Sequence, residues 1–320
     1  MIVTVTLNAA IDRTLTVPNF QRGHRHRASA SLTQPGGKGI NVARALKRLD
    51  VPVVATGLAG GGTGTQIVEA LTHEAILNDF VRIADESRNS TAVVDPTGGS
   101  LTEIYEWGPH VEPDEIEMLF DKLRYLSRGA EFVVFTGSLP RGVEDDFYAE
   151  AIRDLNRRGV LTVLDSEGEP LRLGIEAEPF LVSPNQAEAE AVVGYEFGED
   201  EDFRAALDTI AERGARNVLI SEPSRCFCRF REERTVRYLQ AGAPVLEPLS
   251  AVGAGDVLLA GLLAARSGPS PRPLEEALRA AVATAAASTL ELGAGRFDPS
   301  VAGRLGLAVD VEELEPAPTA

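Results

Sequence analysis

Lysine is nearly missing from this 320-residue chain: of 31 basic side chains only Lys38, Lys47 and Lys122 are lysines. Acid outnumbers base by 48 to 31, a formal net charge of −17. Such a field repels polyanions and argues against nucleic-acid or anionic-membrane partners, so any phosphate ligand must meet a local basic cluster. Cysteine is scarcer still, with Cys226 and Cys228 the two in the sequence. Spaced two apart they share one face of a strand, and a lone C-x-C without a second pair reads as packing rather than a zinc site. No apolar run approaches the roughly 20 residues of a bilayer span; the longest uncharged helical stretch is Ala280 to Leu290. The opening MIVTVTLNAAID has no basic n-region or cleavage site and alternates as a strand does, so the expected location is the cytosol. Two nucleotide-binding signatures are absent as well: the G-x-x-x-x-G-K-[ST] loop, and a G-x-G-x-x-G after the first strand.

What is present is ordinary in bulk, 44% apolar and 25% charged, as in an average globular protein. Short β-branched runs (IVTVTL, VVATGL, EFVVFTG, VLTVLD, NVLIS) alternate with helical stretches such as INVARALKRL and FRAALDTIAERG. That alternation predicts an α/β fold, a mostly parallel sheet with helices on both faces, whose ligands collect at the carboxyl ends of the strands. Two stretches break it. Residues 13–34 and 91–107 read as β-only pieces, the second with a Pro-Thr-Gly-Gly turn, and are expected to form a small sheet covering the site. The reading is one domain over residues 1–309, followed by an acidic, mobile tail over 310–320.

Several stretches carry candidate chemistry. In LSAVGAGDVLLAGLLAA, residues 249–265, Asp256 stands at the mouth of an apolar helix behind Gly253, Ala254 and Gly255. A cap alone needs no glycines, whereas close approach of the backbone to a phosphate does. In PGGKGINVARAL, residues 35–46, Gly36 and Gly37 lead into a helix with Lys38 and Asn41 at its mouth; amides and a lysine there can grip hydroxyls or phosphate. SPNQAEAEAVVG, residues 183–194, places Asn185 and Glu188 at i and i+3. The pattern is that of a capping box, and equally of two groups that hold Mg²⁺ through its waters. Ser138 in TGSLPRG and Asp12 after the first strand sit at strand carboxyl ends, and Arg25, Arg27 and Arg88 bring positive charge to the β-only pieces.

Together these stretches resemble the PfkB carbohydrate kinases of the ribokinase-like superfamily, from Met1 to about residue 305. GGKGINVARAL is similar to the family's N-terminal signature and AVGAGDVLLAG to its C-terminal one. TLNAAID, ESRNSTAVVD, TGSLP and SPNQAEAE resemble the phosphosugar branch: 1-phosphofructokinases, minor 6-phosphofructokinases and tagatose-6-phosphate kinases. The resemblance implies a three-layer fold with a β-sheet lid. It implies a kinase moving the γ-phosphoryl group of Mg²⁺-ATP to fructose 1-phosphate or fructose 6-phosphate, with tagatose 6-phosphate as the alternative. A sugar-phosphate-binding protein without turnover is the alternative of another class.

By the same carry-over Asp256 is the general base, and the turn from Gly253 through Ala254 and Gly255 forms an anion hole with the amides of Ala254, Gly255 and Asp256. Asp12, Gly36, Gly37, Lys38 and Asn41 hold sugar hydroxyls; Arg88 and Ser138, helped by Arg25 or Arg27 from a partner, bind the existing phosphate. Asn185 and Glu188 order Mg²⁺-ATP, Ser221 borders the nucleotide, and a homodimer forms through the lids. The sequence departs from the family pattern at Ser250-Ala251 and at residues 221–226, SEPSRC, where Pro223 and Cys226 replace two glycines.

Overall fold

The first strand, β1 (Ile2–Thr6), is buried on both sides: Ile2 faces one helical layer while Val3 and Val5 face the other. A strand covered on both faces needs such a run, and β1 occupies the centre of a parallel sheet. It pairs in parallel with β4 (Val53–Gly60) on one side and β8 (Phe132–Thr136) on the other. Beyond β4 lies β5 (Leu77–Ile83). Beyond β8 follow β9 (Leu161–Asp165), β10 (Leu181–Val182), β11 (Asn217–Ser221), β12 (Arg225–Glu232), β13 (Thr235–Gly242) and β14 (Asp310–Glu313). The strands from β5 to β11 run parallel, and β12 to β14 turn antiparallel. This computed structural model describes residues 1–232 and 235–314.

Helices α1 (Lys38–Arg48), α2 (Gly61–His73), α8 (Ala254–Arg266), α9 (Leu274–Ser288) and α10 (Pro299–Leu305) bury their apolar sides with one face of the sheet. The opposite face is covered by α3 (Pro113–Leu126), α4 (Phe147–Asn156), α5 (Gly168–Ile175), α6 (Gln186–Val193) and α7 (Asp200–Glu212). The run VLLAGLL, residues 257–263, makes the middle of α8 apolar all round, and each of those seven residues is buried, as expected of a helix enclosed by neighbours. Truncating Leu259 or Leu262 there is expected to cost about 2–5 kcal/mol. Cys226 and Cys228 pack as free, buried thiols in the first layer's core while Phe227 between them points to the other.

A second sheet, β3-β2-β6-β7, is built from β2 (Ala10–Thr16), β3 (Ala30–Gly36), β6 (Arg88–Asp95) and β7 (Ser100–Tyr105). These are the two β-only stretches of the sequence, beginning a few residues earlier than periodicity indicates. The C-terminal reading needs correction. Asp310–Glu313 is not a loose tail but an edge strand, held to β13 by backbone pairing, by Arg237 on Glu313 at 2.8 Å and by Gln240 on Glu312 at 2.7 Å. The remainder of that expected tail, 315–320, lies outside the described residues.

Candidate active site

Thr6, Thr136, Asp165 and Ser221, the last residues of β1, β8, β9 and β11, all line one cavity of about 1260 Å³. This is where the strand order reverses around β1, the place an open parallel sheet offers a ligand. The lid contributes Asp12, Arg88, Glu103 and Tyr105 at one end, and the β11–β12 turn contributes Glu222, Pro223, Ser224 and Arg225 at the other.

Asp256 lies in the middle, in the first turn of α8 and only 5% exposed. Gly253 precedes the helix with φ 76°, and a Cβ there would come within 2.7 Å of the Ala294 side chain. Both facts demand glycine. A Cβ on Gly255, in contrast, would meet nothing within 4 Å, so that face of the helix start is open to a ligand. Of the three amides expected to form an anion hole, one is engaged within the turn. The Ala254 amide folds back to donate to the Ala251 carbonyl at 3.2 Å, while the amides of Gly255 and Asp256, too early in the helix for an i−4 acceptor, are left for an anion. Burial, and secondarily the charge of Asp165, pushes the Asp256 carboxyl up to about 7; Lys38 and a hydrogen bond from Asn41 pull the other way.

Asn41, from α1, donates through Nδ2 to Asp256 Oδ2 at 2.9 Å. Lys38 stands one turn earlier, as the first residue of α1 after the left-handed Gly37. Expected among the sugar hydroxyls, its ammonium is instead turned to Asp165 Oδ1 at 2.7 Å and Glu188 Oε1 at 3.2 Å. Two largely buried carboxylates, at 6% and 12% side-chain exposure, share this cation. Burial disfavours its charged form, but Asp165, Glu188 and Asp256 outweigh that and hold the Lys38 pKa above the ordinary lysine value.

Asn185 and Glu188 do form the capping box at the start of α6: Glu188 N donates to Asn185 Oδ1 at 2.9 Å and Asn185 N to Glu188 Oε2 at 2.8 Å. Both also line the cavity. Capping and facing a ligand are thus not exclusive. Burial raises the Glu188 carboxyl above the usual range, partly offset by Lys38. Among the described residues no three His, Cys, Asp or Glu side chains form a metal cage. One or two oxygen donors beside a phosphate suit a hydrated Mg²⁺, so Glu188 and Asp165 fit that ion and not a tightly caged metal.

At the lid end Asp12 lies beneath Gly36, where a Cβ would come within 1.8 Å of its Oδ2. Burial raises its carboxyl, against the lowering charges of Arg88 and Arg44. Arg88 donates to the Asn8 carbonyl at 3.3 Å and stands 5.7 Å from the Tyr105 ring centroid. Asn8 Nδ2 in turn donates to Ser138 Oγ at 3.2 Å. The structure therefore gathers Asp12, Gly37, Lys38, Asn41, Arg88, Ser138, Asn185, Glu188, Ser221 and the Gly253–Asp256 turn around one space. Arg25 and Arg27 are exposed on the β2–β3 loop and do not line it. Sequence reasoning missed Asp165 and Asn8; the signal was available, since Asp165 ends the VLTVLD strand and Asn8 lies two residues beyond IVTVT.

The fold is ribokinase-like. A ribokinase of Arabidopsis thaliana complexed with ribose and ATP superposes with a TM-score of 0.72 at 21% identity, covering 95% of this chain and 98% of that one. The phosphofructokinase-2 of Escherichia coli in complex with fructose-6-phosphate superposes with a TM-score of 0.84 at 29% identity, covering 96% and 98%. In sequence, a 1-phosphofructokinase of Bacillus subtilis (strain 168) is 33% identical over 299 residues, 93% of this chain and 96% of the relative. A tagatose-6-phosphate kinase of Staphylococcus epidermidis is 31% identical over 266 residues, 82% and 84%. Residues 2–300 match the pfkB family carbohydrate kinase model. The chain belongs to that family and is a phosphotransferase acting on a sugar hydroxyl. Membership of a kinase family implies ATP as the phosphate donor.

Proposed function

We propose that the protein phosphorylates an already phosphorylated ketohexose, fructose 1-phosphate or fructose 6-phosphate, to fructose 1,6-bisphosphate. The observation that carries this reading is the pairing, within one cavity, of a buried Asp256 beside two open helix amides with a lid-borne Arg88 at the far end. The first activates the acceptor hydroxyl and stabilises the phosphoryl group as it transfers; the second recognises a phosphate already on the sugar. Relatives named 1-phosphofructokinase and tagatose-6-phosphate kinase support it.

In this reading the substrate hydroxyl gives its proton to the Asp256 carboxylate as its oxygen bonds to the γ-phosphorus, and the bond from that phosphorus to the β,γ-bridging oxygen of ATP breaks, releasing ADP. The amides of Gly255 and Asp256 stabilise charge on the transferred group, with Lys38 beside them. Glu188 and Asn185, with Asp165 nearby, would hold Mg²⁺ through its waters, and the ion would supply charge neutralisation on the ATP phosphates. Asp12 and Asn41 orient the sugar, Arg88 and Ser138 its phosphate, and Ser221 borders the nucleotide. The lid leaves Leu101, Ile104, Tyr105 and Trp107 exposed. These exposed apolar side chains suit a second copy, whose Arg25 or Arg27 would complete the phosphate site in a homodimer.

A coupled ADP-release assay with Mg²⁺-ATP, comparing fructose 1-phosphate, fructose 6-phosphate, tagatose 6-phosphate and free hexoses, tests the proposal. Turnover on one fructose phosphate at least tenfold above every free hexose is about the least that one charged contact provides, and names the substrate. Preference for a free hexose contradicts it, while saturable phosphosugar binding without turnover assigns the chain to the non-catalytic alternative.

A further inference from the structure

Arg44 is 3% exposed, belongs to α1 and does not line the cavity, yet each of its nitrogens is committed to a hydrogen bond, and its two Nη atoms reach segments that frame the site. Nε donates to Glu74 Oε2 at 2.6 Å and Nη2 to Glu74 Oε1 at 3.3 Å, the Glu74 carboxylate standing at the C-terminal cap of α2. Nη2 also donates to the Pro35 carbonyl of the first glycine loop at 2.7 Å. Nη1 donates to the Ala294 carbonyl at 3.0 Å and to Asn41 Oδ1 at 3.1 Å. Five contacts use the five N–H groups that a guanidinium has.

Two of these reach the reacting carboxylate indirectly. An amide can face Asp256 with either its oxygen or its nitrogen, and only the nitrogen attracts a carboxylate. Because Arg44 occupies the Asn41 oxygen, Asn41 Nδ2 must point at Asp256, where it donates at 2.9 Å. Ala294, the second contact, is the residue against which Gly253 packs, its Cβ 2.7 Å from where a Gly253 side chain would be. The next residue, Gly295, packs against α1: a Cβ on it would come within 2.7 Å of the Asn41 carbonyl and 3.2 Å of Arg44 Cβ. Arg44 thus holds the turn before Asp256 and the hydrogen-bond partner of Asp256 in one frame.

We infer that Arg44 is a positioning residue for phosphoryl transfer, fixing the orientation of the Asn41 amide on Asp256 and the seat of the Gly253 turn. The inference rests on Asp256 being the general base. A Lys at this position keeps the charge but loses the fork, so it cannot hold Glu74, Pro35, Ala294 and Asn41 at once. Asp256 faces Lys38 and Asn41 from α1, Asp165 from β9 and Asp12 from β2. Of these Asn41 is hydrogen-bonded by Arg44, while Asp12 feels the Arg44 charge, which Arg44→Lys keeps.

The test compares Arg44→Lys, Asn41→Ala, the double variant, Glu74→Gln and Asp256→Asn, using the phosphosugar that the wild-type protein turns over. Arg44→Lys is expected to lower kcat by about tenfold to a hundredfold, the cost of a misplaced reacting group. KM for ATP is expected to stay within about threefold, and KM for the sugar, which Asn41 also orients, to rise by less than kcat falls. The acid limb of the kcat/KM profile moves to higher pH, since the charged form of Asp256 loses a hydrogen bond. In the Asn41→Ala background Arg44→Lys shifts the limb no further. Should Arg44→Lys fail to fold, Glu74→Gln, which loosens only the outer hold, is to show a smaller loss with the limb displaced in the same direction. A lowered kcat with an unmoved limb, or limb shifts that add in the double variant, overturns the positioning role. Retained turnover in Asp256→Asn overturns instead the base reading beneath it.

Discussion

The side-chain amide of Asn41 donates to Asp256 Oδ2 across 2.9 Å, joining the helix after the first glycine loop to the helix after the second. Residues 215 positions apart in sequence thereby meet at the carboxylate proposed as the base, which sets the expected chemistry and its pH dependence.

A base with a carboxyl raised to about 7 must lose its proton before it can accept one from the sugar. Activity is therefore expected to require the deprotonated form, with kcat/KM constant at high pH and falling tenfold per unit below about pH 7. The pH profile at low substrate concentration checks this. A limb near the ordinary aspartate range would mean that the group is hydrated and that the buried geometry does not persist in solution.

The same shift has a cost in stability. The folded protein holds the Asp256 proton up to about 7, against 3.8 for an ordinary aspartate. Its contribution is thus complete below the lower value and is lost as pH rises toward the upper one. Asp256→Asn, neutral at every pH, escapes that loss. The melting temperature of the variant minus that of the parent is expected to increase with pH between those two values and to level off above the upper one. Differential scanning calorimetry across that range reads the slope, and a pH-independent difference would contradict it.

Much of this arrangement is legible in the sequence. Both glycine loops, the lid and the strand-helix alternation follow from local pattern, because turns, caps and periodicity are short-range properties. Asn185 and Glu188 show the limit of such reasoning: the capping box satisfies their local chemistry, and only the end of β10 and the approach of Lys38 place them on a ligand cavity. Arg44 is the clearest omission. Its partners Glu74 and Ala294 lie 30 and 250 residues away, and an arginine on an amphipathic helix looks solvated until the fold closes over it. The edge strand at Asp310–Glu313 was hidden likewise by its acidity, which Arg237 and Gln240 answer from β13.

Arg88 is expected to define the preference for a phosphorylated sugar. Loss of a charged hydrogen bond is worth about 1.5–3 kcal/mol, so Arg88→Ala should raise KM for the phosphosugar by roughly tenfold to a hundredfold and narrow its advantage over free hexose. Isothermal titration with the phosphosugar in the absence of nucleotide provides the independent check. Unchanged affinity would move the phosphate site elsewhere in the cavity.

Gly253→Ala should damage both fold and rate. The residue combines a left-handed φ of 76° with a Cβ position only 2.7 Å from Ala294 Cβ, and strain of this kind costs on the order of 1–3 kcal/mol. A lower melting temperature together with a lower kcat is expected; a variant with parental stability would show that the turn is looser than its geometry indicates.

Asp256→Asn, measured for both ligand binding and turnover, tests the central claim most directly. With shape preserved and only the proton acceptor removed, affinity for phosphosugar and Mg²⁺-ATP is expected to hold while kcat falls by about 10² to 10⁴. Turnover close to that of the parent protein would contradict the assignment of Asp256 as the base, whatever sugar the enzyme prefers.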